Sequence, residues 1–420
     1  MVTKTETVDV AIVGCGAAGL ATAVFCGRHA PHVRIACLDG ATRIGAKILV
    51  SGGGRCNVTN RVVTEADFWG GSNRIVRSVL RAFSAEQAAA FFAELGVALH
   101  EEEDGKLFPD SNRARTVLDA LLAGVHAVGA VLHGGRRVTD VRRDGDLFTI
   151  DTAEGQTFQA RALVLATGGR SLPKTGSNGA GYEIARRLGH GYVETTPALA
   201  PMLLDGDRHA ALSGVSHPAA LLLRGAAGTL IRFEGALLWT HFGISGPVAL
   251  NLSRHWHSAQ RAGEDVDTLL SVCPRETFES LEQWLREQES SRPRALVATV
   301  LAAKVPAAIA QAWTSMLGIE AVTMAHLSRE DRRGLIRALI EWPLAVRDSR
   351  GYNYAEVTAG GIPLEEIDPA RMASRVCPGL YLVGEMLNVD GRLGGFNFQW
   401  AWSSGWVAGR AIARSLSSVP

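Results

Sequence analysis

The chain is 420 residues long, 47% hydrophobic, and carries a net charge of +1. That length exceeds what one hydrophobic core usually supports, so two or three domains are expected. The near-zero charge gives no global electrostatic pull toward nucleic acid. No apolar run reaches the roughly eighteen residues of a membrane helix. Six cysteines without a C-x-x-C pair read as reduced thiols of a cytoplasmic protein, with no zinc or other metal site.

The chain opens on a β-branched run, Val8 to Val13, that enters Gly14-Cys15-Gly16-Ala17-Ala18-Gly19 and an Ala-rich segment to about His29. A second run, Val33 to Leu38, ends in Asp39, twenty residues after Gly19. The first run suits a buried strand. Gly14 permits the tight turn, Gly16 a close backbone approach to a pyrophosphate, and Gly19 close helix–strand packing. A helix starting at Ala17 points free N–H groups and its positive dipole end at those phosphates. Asp39 can accept from ribose hydroxyls. Strand, helix, strand and acid in register predict an adenine dinucleotide site. The N-terminus, with Glu6 and Asp9 before the glycines, does not read as a signal peptide.

Next comes Gly45 to Asn60, in which Gly52-Gly53-Gly54 are flanked by Lys47, Ser51, Arg55 and Asn57. N–H donors and cations at this density predict a cradle for something anionic or polar. Ser84 with Gln87 has capping-box spacing, and Gly96 closes that helix. Glu101 to Gly105 reads as a solvated turn, and Arg113 to Val128 as an amphipathic helix. Short antiparallel strands over Arg136 to Ala160 lead into a buried strand, Ala162 to Ala166, then Thr167-Gly168-Gly169. A second glycine turn, Pro173 to Gly181, has no strand feeding it and is not read as another dinucleotide fingerprint.

From about Pro197 the texture changes. Residues 196–351 read as an inserted substrate domain, β-rich over 196–255 and helical over 275–345, within a nucleotide-binding domain of 1–195 and 352–420. Ser328 with Asp331 marks one of its helix starts. The glycine idiom returns in Glu356 to Gly361, Gly379 to Glu385, and Val389 to Trp400, which opens a helix to about Ser415. A strand ending at Gly384-Glu385 before a glycine-led helix suits the far end of an extended cofactor. Glu385 or Asp390 can bond a ribityl chain, and N–H groups near Phe396 can face a flavin pyrimidine. This turns a dinucleotide site into an FAD site.

The segments GCGAAG, KILVSGGGRCNVTN, GKLFP, ATGG with PKTGSNGAGY, LLWTHFGISGP, EVTAGG and GEMLNVDGRLGGFNFQWAWSSG run through nearly the whole chain. In that order they resemble a bacterial group of NAD(P)/FAD-dependent oxidoreductases. The group includes aminoacetone-oxidase-like flavoproteins, bile-acid enone reductases and ribosomal RNA dihydrouridine synthases. The resemblance implies an α/β fold, a glutathione-reductase-like (Rossmann-type) FAD domain with an inserted β-barrel plus helical domain.

It also implies FAD binding by Gly14, Gly16, Ala18, Gly19, Asp39, Lys47, Ser51, Gly53, Arg55, Asn57, Ala166, Thr167 and Gly168. At the flavin end it implies Gly384, Glu385, Asp390, Gly395, Phe396 and Asn397. Ala46 replaces a usual Arg and Asn388 a common Asp. For catalysis, Cys56 is a candidate proton donor, although a lone Cys is more often packed. His241 is a candidate to reach flavin or substrate; Tyr354 and Glu356 are weaker ones.

With no second nucleotide unit, a nicotinamide would visit transiently. The expectation is an FAD enzyme that reduces an activated C=C bond of a small molecule with NAD(P)H. An amine oxidase and an rRNA dihydrouridine synthase are the alternatives, and a flavin-bound sensor ranks last. The rRNA reading has no support from net charge. Substrate, nicotinamide preference and oligomeric state are not specified by the sequence.

Overall fold

The structure, a computed structural model, describes residues 5–417. They form two compact units, one of residues 5–196 with 356–417 and one of residues 197–355.

The larger unit is organised by five parallel strands. The opening strand, Thr5–Val13, lies between Ile35–Asp39 on one side and Thr157–Leu165 on the other. Val131–Gly134 extends the first side and Leu380–Leu382 the second. The strand order therefore reverses at the opening strand, and ligands of open α/β sheets bind at such a reversal. The strand Thr157–Leu165 joins two expected pieces in one. Its first half pairs antiparallel with Leu147–Thr152, while its whole length runs parallel to the opening strand. Val10, Ile12, Leu163 and Leu165 are fully buried, as strands covered on both faces require.

The opening helix, Ala17–His29, is alanine-rich because it is crossed closely by the C-terminal helix, Phe396–Ser417. A Cβ on Gly405 would stand 3.0 Å from the Ala18 carbonyl oxygen, and one on Gly409 would stand 2.8 Å from the Cys26 nitrogen. Ser84 and Gln87 form the reciprocal capping box that their spacing predicts.

The second unit has a seven-stranded sheet with antiparallel pairing throughout. Its two end strands, Trp342–Leu344 and Val346–Ser349, are consecutive and separated only by Ala345, so the sheet curls back on itself like a barrel. Helices Phe278–Ser291, Ala307–Met316 and Arg329–Ile340 follow. One expectation is corrected. The stretch read as strand-like to 255 contains a sixteen-residue helix, Pro247–Ala262, started by Pro247 in its first turn and ended by left-handed Gly263. It buries Val248, Ala249, Leu252 and Trp256, an apolar face that a strand reading masks.

Candidate functional site

The opening turn is built by backbone shape. Gly14 has φ +101°, and a Cβ there would stand 2.4 Å from the Ala166 carbonyl oxygen. A Cβ on Gly19 would stand 1.9 Å from the Gly14 carbonyl oxygen. Gly16 is the opposite case, with nothing within 4 Å of its Cβ position. Two glycines thus close the turn while the third faces open space, which fits a phosphate resting on bare backbone. The helix behind it has no acidic residue in its first turn to neutralise the dipole. Asp39 Oδ2 accepts from Cys15 N and Oδ1 from Ala41 N, both at 2.8 Å. Asp39 therefore pins the turn, and each oxygen keeps a lone pair for a hydroxyl. Ala166 and Thr167 follow the neighbouring strand, and Gly168 turns there with φ +69°.

The second cradle has Gly52, Gly53 and Gly54 in succession at φ +54°, +68° and +85°. Nothing lies within 4 Å of the Gly53 Cβ position. Asn57 Oδ1 is buried and has no hydrogen-bond partner. Such an orphan requires a donor, and a ligand in the cradle can supply it. Cys56 has φ +62° and is fully buried. Burial pushes its thiol up to about 12, against a smaller opposing effect of the Ser51 side chain. It is therefore a neutral, packed thiol at physiological pH. Ser51 Oγ donates to the Ile48 carbonyl. Arg55 lies over the Phe108 ring at 4.1 Å and donates to Glu102 at 2.6 and 3.2 Å. Glu102 is thus an arginine-paired acid, its carboxyl held below the usual range by that hydrogen bond.

A third centre joins residues far apart in sequence. Lys47 Nζ donates to Glu385 Oε2 and to Ser171 Oγ, each at 2.5 Å. Glu385 Oε1 accepts from Ser171 Oγ at 2.8 Å and from Thr358 N at 3.1 Å. Thr358 Oγ1 in turn accepts from Arg170 N and Ser171 N. Ser171 and Thr358 are residues that sequence reasoning missed, although Ser171 lies between two glycine motifs and Thr358 within EVTAGG. Glu356 anchors to the same centre through its carbonyl, which accepts from Ser171 Oγ at 3.3 Å. Its side chain is exposed. Desolvation by the protein around it raises its carboxyl above the ordinary value, with the Lys47 ammonium pulling the other way.

The C-terminal segment completes this side. Gly384, φ +72°, donates through its N–H to Ser404 Oγ and accepts from Trp400 Nε1, both at 3.1 Å. A Cβ there would stand 2.8 Å from that of Ala18, so the two predicted ends adjoin. Gly395, φ +93°, leaves its Cβ position 2.5 Å from the Thr59 backbone. Phe396 and Asp390 are buried. The Asn397 amide pairs with both the N–H and the C=O of Gly391 at 2.8 Å, so it clamps the turn. His241, in the other unit, is exposed and edge-on to Phe242. In that unit too, Arg350 lies over the rings of Phe242 and Tyr354.

A family model described as the HI0933-like protein Rossmann domain matches residues 8–411. A ribosomal RNA dihydrouridine synthase of Escherichia coli (strain K12) is 33% identical over 417 residues, covering 98% of this chain and 100% of its own. A 3-dehydro-bile acid delta(4,6)-reductase of Clostridium scindens is 30% identical over 405 residues, covering 96% and 98%. Among solved structures, FrdA of an E. coli quinol fumarate reductase superposes with TM-score 0.52 at 16% identity, covering 100% of this chain and 72% of that one. That likeness is one of fold.

Proposed function

Because the chain belongs to the HI0933-like family of Rossmann-fold, FAD-dependent oxidoreductases, we propose that it reduces a carbon–carbon double bond conjugated to a carbonyl. In this reading the electrons come from NAD(P)H and the acceptor is a uridine of ribosomal RNA. One observation carries it: two near-full-length relatives act on unlike molecules by their names, a nucleoside and a bile acid, yet share one chemistry. Dihydrouridine formation and delta(4,6) reduction both add hydrogen across such a bond. Two relatives named for ribosomal RNA, at 33% and 32% identity, stand slightly nearer than the bile-acid enzyme at 30%, which supports uridine.

The residues on the larger unit fit FAD. Gly14 to Gly19 and the helix start would hold its pyrophosphate, and Asp39 the adenosine ribose. Gly52 to Gly54 with the orphaned Asn57 Oδ1, the Lys47–Glu385 pair, and the Gly395–Phe396 helix start would hold the remainder. When bound, FAD supplies the hydride-carrying centre between donor and acceptor.

The chain must add a proton at the carbon beside the carbonyl. Glu356 suits that role, being exposed and anchored through its backbone, with its carboxyl raised above its ordinary value by desolvation. The burial of Cys56 supports a packing role for it. His241 and Tyr354 stay substrate-side candidates of the inserted unit.

Anaerobic addition of NADPH or NADH to the holoenzyme should bleach the flavin absorbance, and ribosomal RNA lacking dihydrouridine should restore it. If neither nucleotide bleaches the flavin, the reductase reading fails.

A further inference from the structure

The inserted unit treats its cations in two ways. Over much of its surface they are paired: Arg224 with Glu341, Arg232 with Glu234, Arg286 with Glu282, Lys304 with Glu276, and Arg347 with Asp205. Arg208 and Arg275 have no ion pair with a described carboxylate, and along one edge five such arginines follow one another. Arg292 and Arg294 lie in the turn after helix Phe278–Ser291, and that turn is tied to the segment leading into helix Arg329–Ile340. Ala325 N donates to the Pro293 carbonyl, and Met324 N to that of Ala295, both at 2.9 Å. Arg294 therefore runs beside residues 324 and 325, four or five positions before Arg329.

From there Arg329, Arg333 and Arg337 follow at spacings of four on one side of the helix, over about 12 Å by its rise per residue. The opposite side, with Arg332, Leu335 and Leu339, is buried. Arg332 is consumed by Glu282 and Glu289. All five edge arginines are exposed, and none has an ion pair with a described carboxylate. On the exposed helix face the opposing charge is Glu330; Asp331 is turned inward to the Ser328 cap. Leu296, 42% exposed, adds an apolar contact on the adjoining turn.

We propose that this edge, Arg292, Arg294, Arg329, Arg333 and Arg337, is where the phosphate backbone of the RNA substrate docks. The inference rests on the reading of the protein as a reductase of ribosomal RNA uridine. A chain of net charge +1 cannot collect RNA by its overall field. It can do so through guanidinium groups left unpaired in a row, because each one grips phosphate oxygens through a planar fork. Helical spacing then sets the register of the strand, while recognition of the base is left to the site itself.

The test uses full-length holoenzyme and deproteinised ribosomal RNA from a strain lacking this enzyme, with binding followed across a KCl series. In the variant R329A/R333A/R337A, affinity should fall by at least about tenfold. Its log–log salt slope should become shallower by about two to three. FAD content and bleaching by NAD(P)H should match the parent. The pair R292A/R294A, in a turn and free of any helix burden, should make the slope shallower by about one to two. Parent-like slopes in both variants overturn the proposal. So does a parent enzyme that is retained by phosphatidylglycerol vesicles but not by RNA. If arginine-dependent RNA binding is found while uridine stays unreduced, the docking edge stands and the proposed reaction fails.

Discussion

The opening glycine turn and the Lys47–Glu385 centre lie in the same unit but are specified in different ways. The turn is backbone packed against backbone: Gly19 has 1.9 Å between its Cβ position and the Gly14 oxygen, so no side chain fits. The centre is a set of side-chain hydrogen bonds between Lys47, Ser171, Thr358 and Glu385, spread over 338 residues. The first should fail all at once when altered, and the second by degrees.

Gly19→Ala should have the largest effect, giving insoluble protein or protein without FAD, read as the flavin-to-protein ratio after purification. Gly16→Ala sharpens the contrast. Its Cβ meets nothing, so thermal stability of the flavin-stripped protein should match the parent while FAD affinity falls. Equal FAD affinity in that variant would break the view that the open side of the turn is the phosphate seat.

Glu356→Gln comes next. Bleaching by NAD(P)H should be unchanged, while reoxidation by the acceptor slows by about 10²–10⁴. The raised carboxyl fixes the direction of the pH dependence. The acid form is present at low pH and is lost as pH rises through the raised value, so the reoxidation rate should fall there. That limb should vanish in Glu356→Gln. The same linkage makes ionisation of the native carboxyl destabilising, so the variant should gain stability relative to the parent as pH rises. A rate limb that survives the substitution assigns the proton elsewhere.

Lys47→Met should weaken FAD binding by about ten- to a hundredfold, the range expected when a part-buried charge-assisted bond is removed. The protein should still fold. Cys56→Ala should change least, with turnover within about twofold and stability lower by about 1 kcal/mol. A large loss of turnover with the flavin retained would return Cys56 to the chemistry.

What was legible in the sequence was local. The opening strand, its glycine turn and the caps at Ser84 and Ser328 each depend on residues within a few positions of one another, and all form as spaced. The Rossmann-type fold followed from those local units repeating in order. The helix Pro247–Ala262 was masked because its apolar residues also suit a strand, despite the proline at its start. Ser171 and Thr358 sit beside or within recognised motifs, but their roles exist only once distant segments meet. Arg55 and Asn397 carry ligand-type side chains that also meet protein partners, Glu102 with Phe108 and Gly391. Residue type shows what a side chain can bind, and packing shows which protein groups it meets as well. The arginine edge is the converse, since composition summed over the chain concealed what position reveals.

The most direct measurement is a single turnover of pre-reduced holoenzyme, without oxygen, against ribosomal RNA from a strain lacking this enzyme. A uridine reductase would reoxidise its flavin with formation of dihydrouridine in matching amount. Flavin that stays reduced with that RNA, yet reoxidises with a steroid enone or yields peroxide once oxygen is admitted, would contradict that function.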